Sequence, residues 1–494
     1  MCQGIHINYN ARSMKCGTKP FLLRSVFFQI LIIFVSVIGY LSLDLESLNT
    51  KKWFEIYFLF VILQSYYIHY KIQDDWKNIS NLFLFFFLFF LGSRFIFDLF
   101  SNQYDVCYFE FFLGRYVDVD IVNRSLLNLI LAVCGYNIGA ICYNIYNDRR
   151  YKYIDYLHLD SIVSKREIYV LLAIGVSFKL YYSYQVFQAM LTYGYLQLFL
   201  EGYEIDRNLL MMFLESFYEI AVFLIISKNG RLNMIEIGLV VFYTVLSLAT
   251  GQRGFAMLSV VFILFYSYKL RRVKLKLSSI ILIGLLLVSI SEVVSAIRGG
   301  KEMDIVSMAD TMLGFFYGQA ISITVLVATI DYDKYIDFSF LDLFGHIRYL
   351  LDYYWNILAL QSFSHVDNLA LQANVYKWYG QYISCLTNPR MFYNGYGLGS
   401  SYVGQMYAVG KETMQVLGGV FVGFLVEFIY SALHSSHLLK RFWAFHALTI
   451  VIFLPRANLF EFISMQWHVY IVSALLYLYM RVKSSSTYTA KSHV

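Results

Sequence analysis

The chain has 494 residues, 59% of them hydrophobic and 15% charged, with a mean hydropathy of +0.56. That balance excludes a soluble globular domain, whose charged fraction is about 25% and apolar fraction about 45–50%. The net charge of +6 sits in short segments between apolar runs and gives no reason to invoke nucleic acid.

Met1 to Pro20 is polar and basic, and the apolar run after it is too long for a signal-peptide core and lacks a cleavage site, so it reads as a first membrane span. Runs long enough for a bilayer core of about 30 Å occur near 21–43, 53–70, 81–100, 125–147, 167–189 and 209–227, then near 234–249, 255–269, 278–297, 414–434, 441–454 and 463–480. About twelve transmembrane helices are thus expected in an all-α integral membrane protein. One set of connecting segments holds 22 Lys and Arg, among them Arg149, Arg150, Arg271, Arg272, Lys440 and Arg481; the opposite short loops hold 7. Cytoplasmic loops carry the excess, which places both termini in the cytoplasm.

The segment 299–413 breaks this rhythm and reads as one large external loop, between helices one to nine (1–298) and helices ten to twelve with a tail (414–494). Thr311–Ile330 and Leu341–Phe363 are apolar, but if both crossed, the acidic stretch with Asp331, Asp333, Asp337 and Asp342 would become cytoplasmic. They are therefore expected as amphipathic helices on the outer surface, with a fourteen-span topology as the alternative. The six cysteines form no CxxC pair and no zinc-like spacing, so no metal site is indicated. Cys107 and Cys385 alone fall in external segments, where a disulfide is open to them.

Charged residues at membrane depth are costly. Arg94 and Asp98 lie four apart and are expected to satisfy one another. Lys179 balances Glu219, or else Glu219 faces an outward cavity as a base. More informative are arginines at the outer ends of spans beside Gly or Pro: Arg253 in TGQRG, Arg298 in AIRGG, Arg390 in NPR and Arg456 in PRAN. Their guanidinium forks suit phosphate. The stretch 394–410, NGYGLGSSYVGQMYAVG, offers backbone freedom at Gly397 and Gly399 and hydroxyls at Ser400, Ser401 and Tyr402. With no preceding strand and no Walker lysine it does not support a nucleotide fold.

TGQRG, AIRGG, FFYGQAISITVL and GYGLGSSYVGQMYAVG together resemble the Wzy-type O-antigen polysaccharide polymerases, over roughly Thr250–Val426 and in the multi-span layout. The resemblance implies a GT-C-like architecture in a bacterial inner membrane. It implies extension of undecaprenyl-pyrophosphate-linked oligosaccharides in the periplasm, in a pathway with a flippase and a chain-length regulator. Family members often carry an acidic residue where this chain has Gln405, and the spacing of Arg390 from its glycines only approximates the family's pattern. Glycosyl transfer from a pyrophosphate needs charge stabilisation at the leaving group, which arginines supply without metal or other cofactor, and a base at the acceptor. Arg253 and Arg298 lead for the first role, with Arg456 and Arg390 next; Glu219, His346, Asp352 and Glu461 are the candidate bases. Gly397, Gly399, Ser400, Ser401 and Tyr402 are the candidate acceptor loop. A flippase of the same lipid-linked glycan and an O-antigen ligase are the alternatives.

Overall fold

The structure, a computed structural model, describes residues 18–101, 108–110, 112–147, 164–193, 209–228, 318–358, 369–435 and 437–491, with single positions 238, 239, 242 and 246. The expected spans 255–269 and 278–297 lie outside the described residues, as do nearly all of 234–249 and both Arg253 and Arg298.

The described chain is almost wholly helical, as its apolar runs require. Helix α1 is Thr18–Ser42 and α2 is Leu48–Gln73. Helix α3, Ile79–Ser101, contains a π turn at Leu88–Gly92. After a two-residue antiparallel ladder, Phe109–Glu110 with Arg115–Tyr116, come α4 (Val119–Tyr146), α5 (Lys165–Tyr193) and α6 (Leu209–Lys228). The region expected outside holds α7 (Ala320–Asp331), α8 (Gly345–Leu358), α9 (Tyr379–Thr387) and α10 (Pro389–Tyr393). Helices α11 (Tyr402–Leu433), α12 (Leu438–Val451), α13 (Glu461–Ser464) and α14 (Trp467–Lys491) close the chain.

Five described helices are long and apolar enough to cross a membrane: Pro20–Ser42, Ile79–Ser101, Val119–Tyr146, Lys165–Ala189 and Tyr402–Leu433. Burial separates them by role. The apolar window of α4 is 89% buried, against 28% for α1 and 11% for α5, so α4 is the central mast and the other two present most of their surface outward.

The mast is built on glycine. Gly135 and Gly139 of α4 lie directly on the backbone of α11 at Val416 and Val420, while Gly419 and Gly423 of α11 lie on the α4 backbone around Ala132, Tyr136 and Ala140. A Cβ at Gly423 would stand 2.9 Å from the Ala140 nitrogen, too close for any side chain. Both helices carry a small-xxx-small repeat, which lets backbones meet where the surrounding lipid supplies no hydrophobic drive between helices. The pairings advance together along both chains, so α4 and α11 run parallel. Arg124 bonds Tyr407 at one end (2.8 Å) and Asn147 approaches Ser431 at the other (3.4 Å).

Several expectations change. Arg94 and Asp98 do not pair with each other: Arg94 is bridged to Glu110 on the ladder, and Asp98 to Lys51 of α2. Lys51 also reaches Glu55 of its own helix at 3.2 Å, while Arg94 and Asp98 each have a partner from another segment. The span expected at 414–434 begins earlier, at Tyr402, and breaks at Gly410 and Lys411, where Lys411 has φ 53°. The arm 402–409 packs back on its continuation, with Gln415 Nε2 donating to the Val403 carbonyl at 2.6 Å and Met406 lying on Gly418. Cys385 carries a free thiol, and Cys107 lies outside the described residues.

Of the stretch 311–330, the described part is α7, and Ile323 to Ile330 are all buried rather than lying with one face to solvent. Its sequence is apolar on every side, so burial among helices is the only arrangement that covers it. Helix α8 buries His346 and Tyr349 and exposes Leu351 and Trp355.

The seam makes a specific prediction. Gly139→Leu or Gly423→Leu forces the mast apart, a cost of about 1–3 kcal/mol or more, and should lower the thermal midpoint of detergent-solubilised protein. Gly39→Leu on α1, where the nearest atom to a Cβ is 4.0 Å away, should leave it unchanged; equal loss in all three variants would contradict the seam.

Candidate functional site

At the Arg124 end of the mast, one short loop gathers residues from distant parts of the chain. Helix α12 ends at Val451, and Pro455, which has no N–H to continue it, sits in the 3-10 turn Leu454–Arg456 that follows. Arg456 Nη1 then donates to Gln319 Oε1 at 2.9 Å, and its guanidinium lies 5.7 Å from the centre of the Phe90 ring. Buried Asn458 is the hub. Its carbonyl oxygen accepts from Ser400 Oγ at 2.7 Å, while its backbone N–H and side-chain amide both donate to Glu461 Oε2, at 2.7 and 3.0 Å. One residue on, the Leu459 N–H donates to Gln405 Oε1 at 2.9 Å. Phe460 stacks on Phe344 at 4.6 Å, and its backbone lies close enough to the His346 imidazole to influence its protonation.

The loop therefore unites Arg456, Ser400, Glu461 and His346. Glu461 is half-buried, and removal from water lifts its carboxyl above the ordinary carboxylate value even though the two Asn458 donors favour the charged form. Those donors occupy Oε2; Oε1 has no hydrogen-bond partner among the described residues. A carboxylate held through one oxygen, with raised proton affinity, is equipped to accept a proton at the other. His346 is fully buried, and burial lowers it to about 4 against the opposing pull of the Phe460 backbone. It is neutral at physiological pH and props the loop from behind.

The other expected residues lie elsewhere. Glu219 forms an ion pair with Lys179 at 2.6 Å on α5 and α6. Asp352 is exposed and accepts from Tyr376 Oη at 2.7 Å. Arg390 is exposed on α10, and no hydrogen bond or ion pair joins it to the loop among the described residues. Ser401 and Tyr402 are wholly buried, their hydroxyls unpartnered, with the Tyr402 ring 6.5 Å from Phe83; they belong to the packed start of α11. Gly397 and Gly399 are exposed. Gly399 has φ +80°, as Gly395 has +81°, and Gly397 has no positive φ. The stretch is anchored, since Ser384 Oγ accepts from the Leu398 N–H at 3.0 Å and Ser400 is tied to Asn458.

Asn458 and Gln319 were not anticipated. Asn458 had a signal: Asn-Leu-Phe-Glu has the N-x-x-E spacing in which a carboxylate reaches back to a backbone N–H. Gln319 had none, because its partner is 137 residues away. No group of three or more His, Cys, Asp or Glu side chains is placed to hold a metal among the described residues.

A bundle of long apolar helices with a polar cluster assembled at one end is an integral membrane protein with a site near its surface. The chain belongs to the O-antigen polysaccharide polymerase Wzy family, whose model matches residues 25–488. No curated protein and no solved structure matches it.

The two glycines of the stretch should behave differently. Gly399→Ala puts a side chain at a left-handed position at a cost of about 1–2 kcal/mol, whereas a Cβ at Gly397 meets nothing closer than Ser384 Oγ at 3.5 Å. Limited proteolysis across 394–401 should show faster cleavage for Gly399→Ala and the wild-type rate for Gly397→Ala.

Proposed function

We propose that this chain polymerises lipid-linked repeat units, moving the growing glycan from undecaprenyl pyrophosphate onto the next lipid-linked unit at the periplasmic face of the inner membrane. Family membership supports the polymerase role. The observation that carries the site is the loop itself, with a guanidinium at Arg456 and a desolvated carboxyl at Glu461 on one short, hydrogen-bonded turn.

In this reading Glu461 Oε1 takes the proton of the acceptor hydroxyl as its oxygen bonds to the anomeric carbon of the donor glycan. The bond from that carbon to the pyrophosphate oxygen breaks, and Arg456 stabilises the negative charge that leaves with the lipid. Arg253 and Arg298 join it in the leaving-group role, and Arg390 guides the lipid-linked glycan toward the cluster. Ser400 lies beside the acceptor, with Gly397 and Gly399 shaping its approach, while Ser401 and Tyr402 support this wall from the core. No metal is required, because guanidinium groups supply the positive charge. Gln405 does for the loop what an acidic residue there would also do, offering a side-chain oxygen to the Leu459 N–H, so a family acid at this position need not be a base. Twelve spans, cytoplasmic termini and an external 299–413 complete the arrangement. The Arg124 end of the mast, where the loop lies, is the external end under this topology.

In a strain lacking the chromosomal copy, Glu461→Gln should leave lipopolysaccharide at core plus one repeat, with transfer down about 10²-fold or more. Arg456→Lys should retain short polymers, because a point charge replaces the fork in part. With purified wild type, the rate should rise with pH as Glu461 loses its proton, with a midpoint above the ordinary glutamate value of about 4.3; that limb should vanish in Glu461→Gln. Wild-type ladders from Glu461→Gln would remove the base from this account, and bare core in the null strain would point to a ligase or flippase.

A further inference from the structure

Helices α11 and α12 form a hairpin whose two sides leave a furrow of about 770 Å³, within the range of about 300–1,000 Å³ typical of ligand sites. Its α11 wall recurs at helical spacing through Leu425, Ile429 and Ala432, and its α12 wall includes Ala444 and Ala447. The alanines make the depth. Leu425 to Ala432 is seven residues, roughly 10 Å of helix rise, and Phe462 extends the lining toward the loop 454–461.

Two features say what fits. Polar side chains of the lining are turned to partners: Trp443 Nε1 donates to Ser473 at 3.0 Å, Tyr470 Oη donates to the Phe462 carbonyl at 3.0 Å, and His437 Nε2 meets Tyr477 Oη at 3.1 Å. Apart from Lys440 at the far end, the lining offers a sugar little to bond, whereas a hydrocarbon needs nothing. The apolar wall also runs without a break to the candidate site. Phe421, one turn above Leu425, packs on Phe460 at 5.9 Å, and Phe460 and Phe462 flank Glu461 in the chain.

We propose that this furrow holds the polyisoprenoid tail of the lipid-linked substrate, with its pyrophosphate end toward Arg456 and Glu461. The inference rests on the function proposed above, which requires such a tail to lie beside the reacting head group. The tail runs from Phe462 down between α11 and α12 toward Lys440, which stands at the far end with its ammonium 5.9 Å from the Phe428 ring.

The test uses full-length protein in nanodiscs and two donors bearing the same glycan, one on the long natural polyprenyl pyrophosphate and one on a two-isoprene analogue that occupies only the Phe462 end. Ala444→Trp, placed in mid-furrow, should raise KM for the long donor at least tenfold and leave kcat and KM for the short donor unchanged. Equal effects on both donors, or on neither, would overturn the furrow. If wild type turns over neither donor, the proposed function fails, and the furrow is then judged by binding alone. In that arm a polyprenyl monophosphate with a photoreactive third isoprene should label the segment Trp443–Ala447 of wild type, also deciding the matter should Ala444→Trp not fold. Labelling elsewhere, or a furrow retaining phospholipid that excess polyprenyl phosphate does not displace, would contradict the proposal.

Discussion

Four glycines hold the backbones of α4 and α11 against each other, and the position of the candidate site follows from that contact. Between apolar helices in lipid there is no water to expel, so association rests on close backbone approach and on polar groups that find partners across the seam. Gly135, Gly139, Gly419 and Gly423 supply the first. Asn137, lying between two of them in sequence, supplies the second: its amide meets Ser65 at 2.7 Å, Gln29 at 3.0 Å and His69 at 3.0 Å, which ties α1 and α2 to the mast. On α11, Glu427 accepts from Ser80 at 2.5 Å and Gln73 at 3.1 Å. With α11 fixed in depth and rotation, the broken arm 402–409 is fixed too, and Ser400 and Gln405 are set where they can grip the loop 454–461.

Buried charge is used in two ways. Lys51 with Asp98, and Arg94 with Glu110, are cation–carboxylate pairs almost wholly removed from solvent. Separating either partner would strand a charge, so these pairs fix the register of α2, α3 and the ladder. Glu461 differs in kind. Its donors are the two nitrogens of Asn458, neutral groups that orient the carboxylate through one oxygen and bring no opposite charge to pair with it.

The helices were legible because apolar runs of bilayer length dictate them, and α2, α6, α12 and α14 also fall where such runs end in polar turns. The pairing of Arg94 with Glu110 and of Asp98 with Lys51 was not legible. A spacing of four puts two side chains on one helix face, but Lys51 and Glu110 approach from segments distant in sequence and offer each of them another partner. The break at Gly410 and Lys411 had a glycine as its signal but nothing to say that the arm before it folds back. Within the candidate site, Arg456 and Glu461 could be singled out from residue type and position, whereas the contacts of Gln319 and Gln405 reach across more than fifty residues. The burial of Ser401 and Tyr402 was hidden because a hydroxyl-rich stretch after glycines reads as an exposed loop until its helix is seen to start inside the bundle.

The central claim is that the turn from Arg456 to Glu461 is where the glycan changes hands. The most direct measurement is a cryo-EM structure of the purified protein with its lipid-linked repeat unit bound. The account predicts the pyrophosphate within hydrogen-bond reach of Arg456 and a sugar hydroxyl within about 3 Å of Glu461 Oε1. A head group seated instead on the face bearing Asp352 and Arg390, with the 454–461 loop empty, would contradict it.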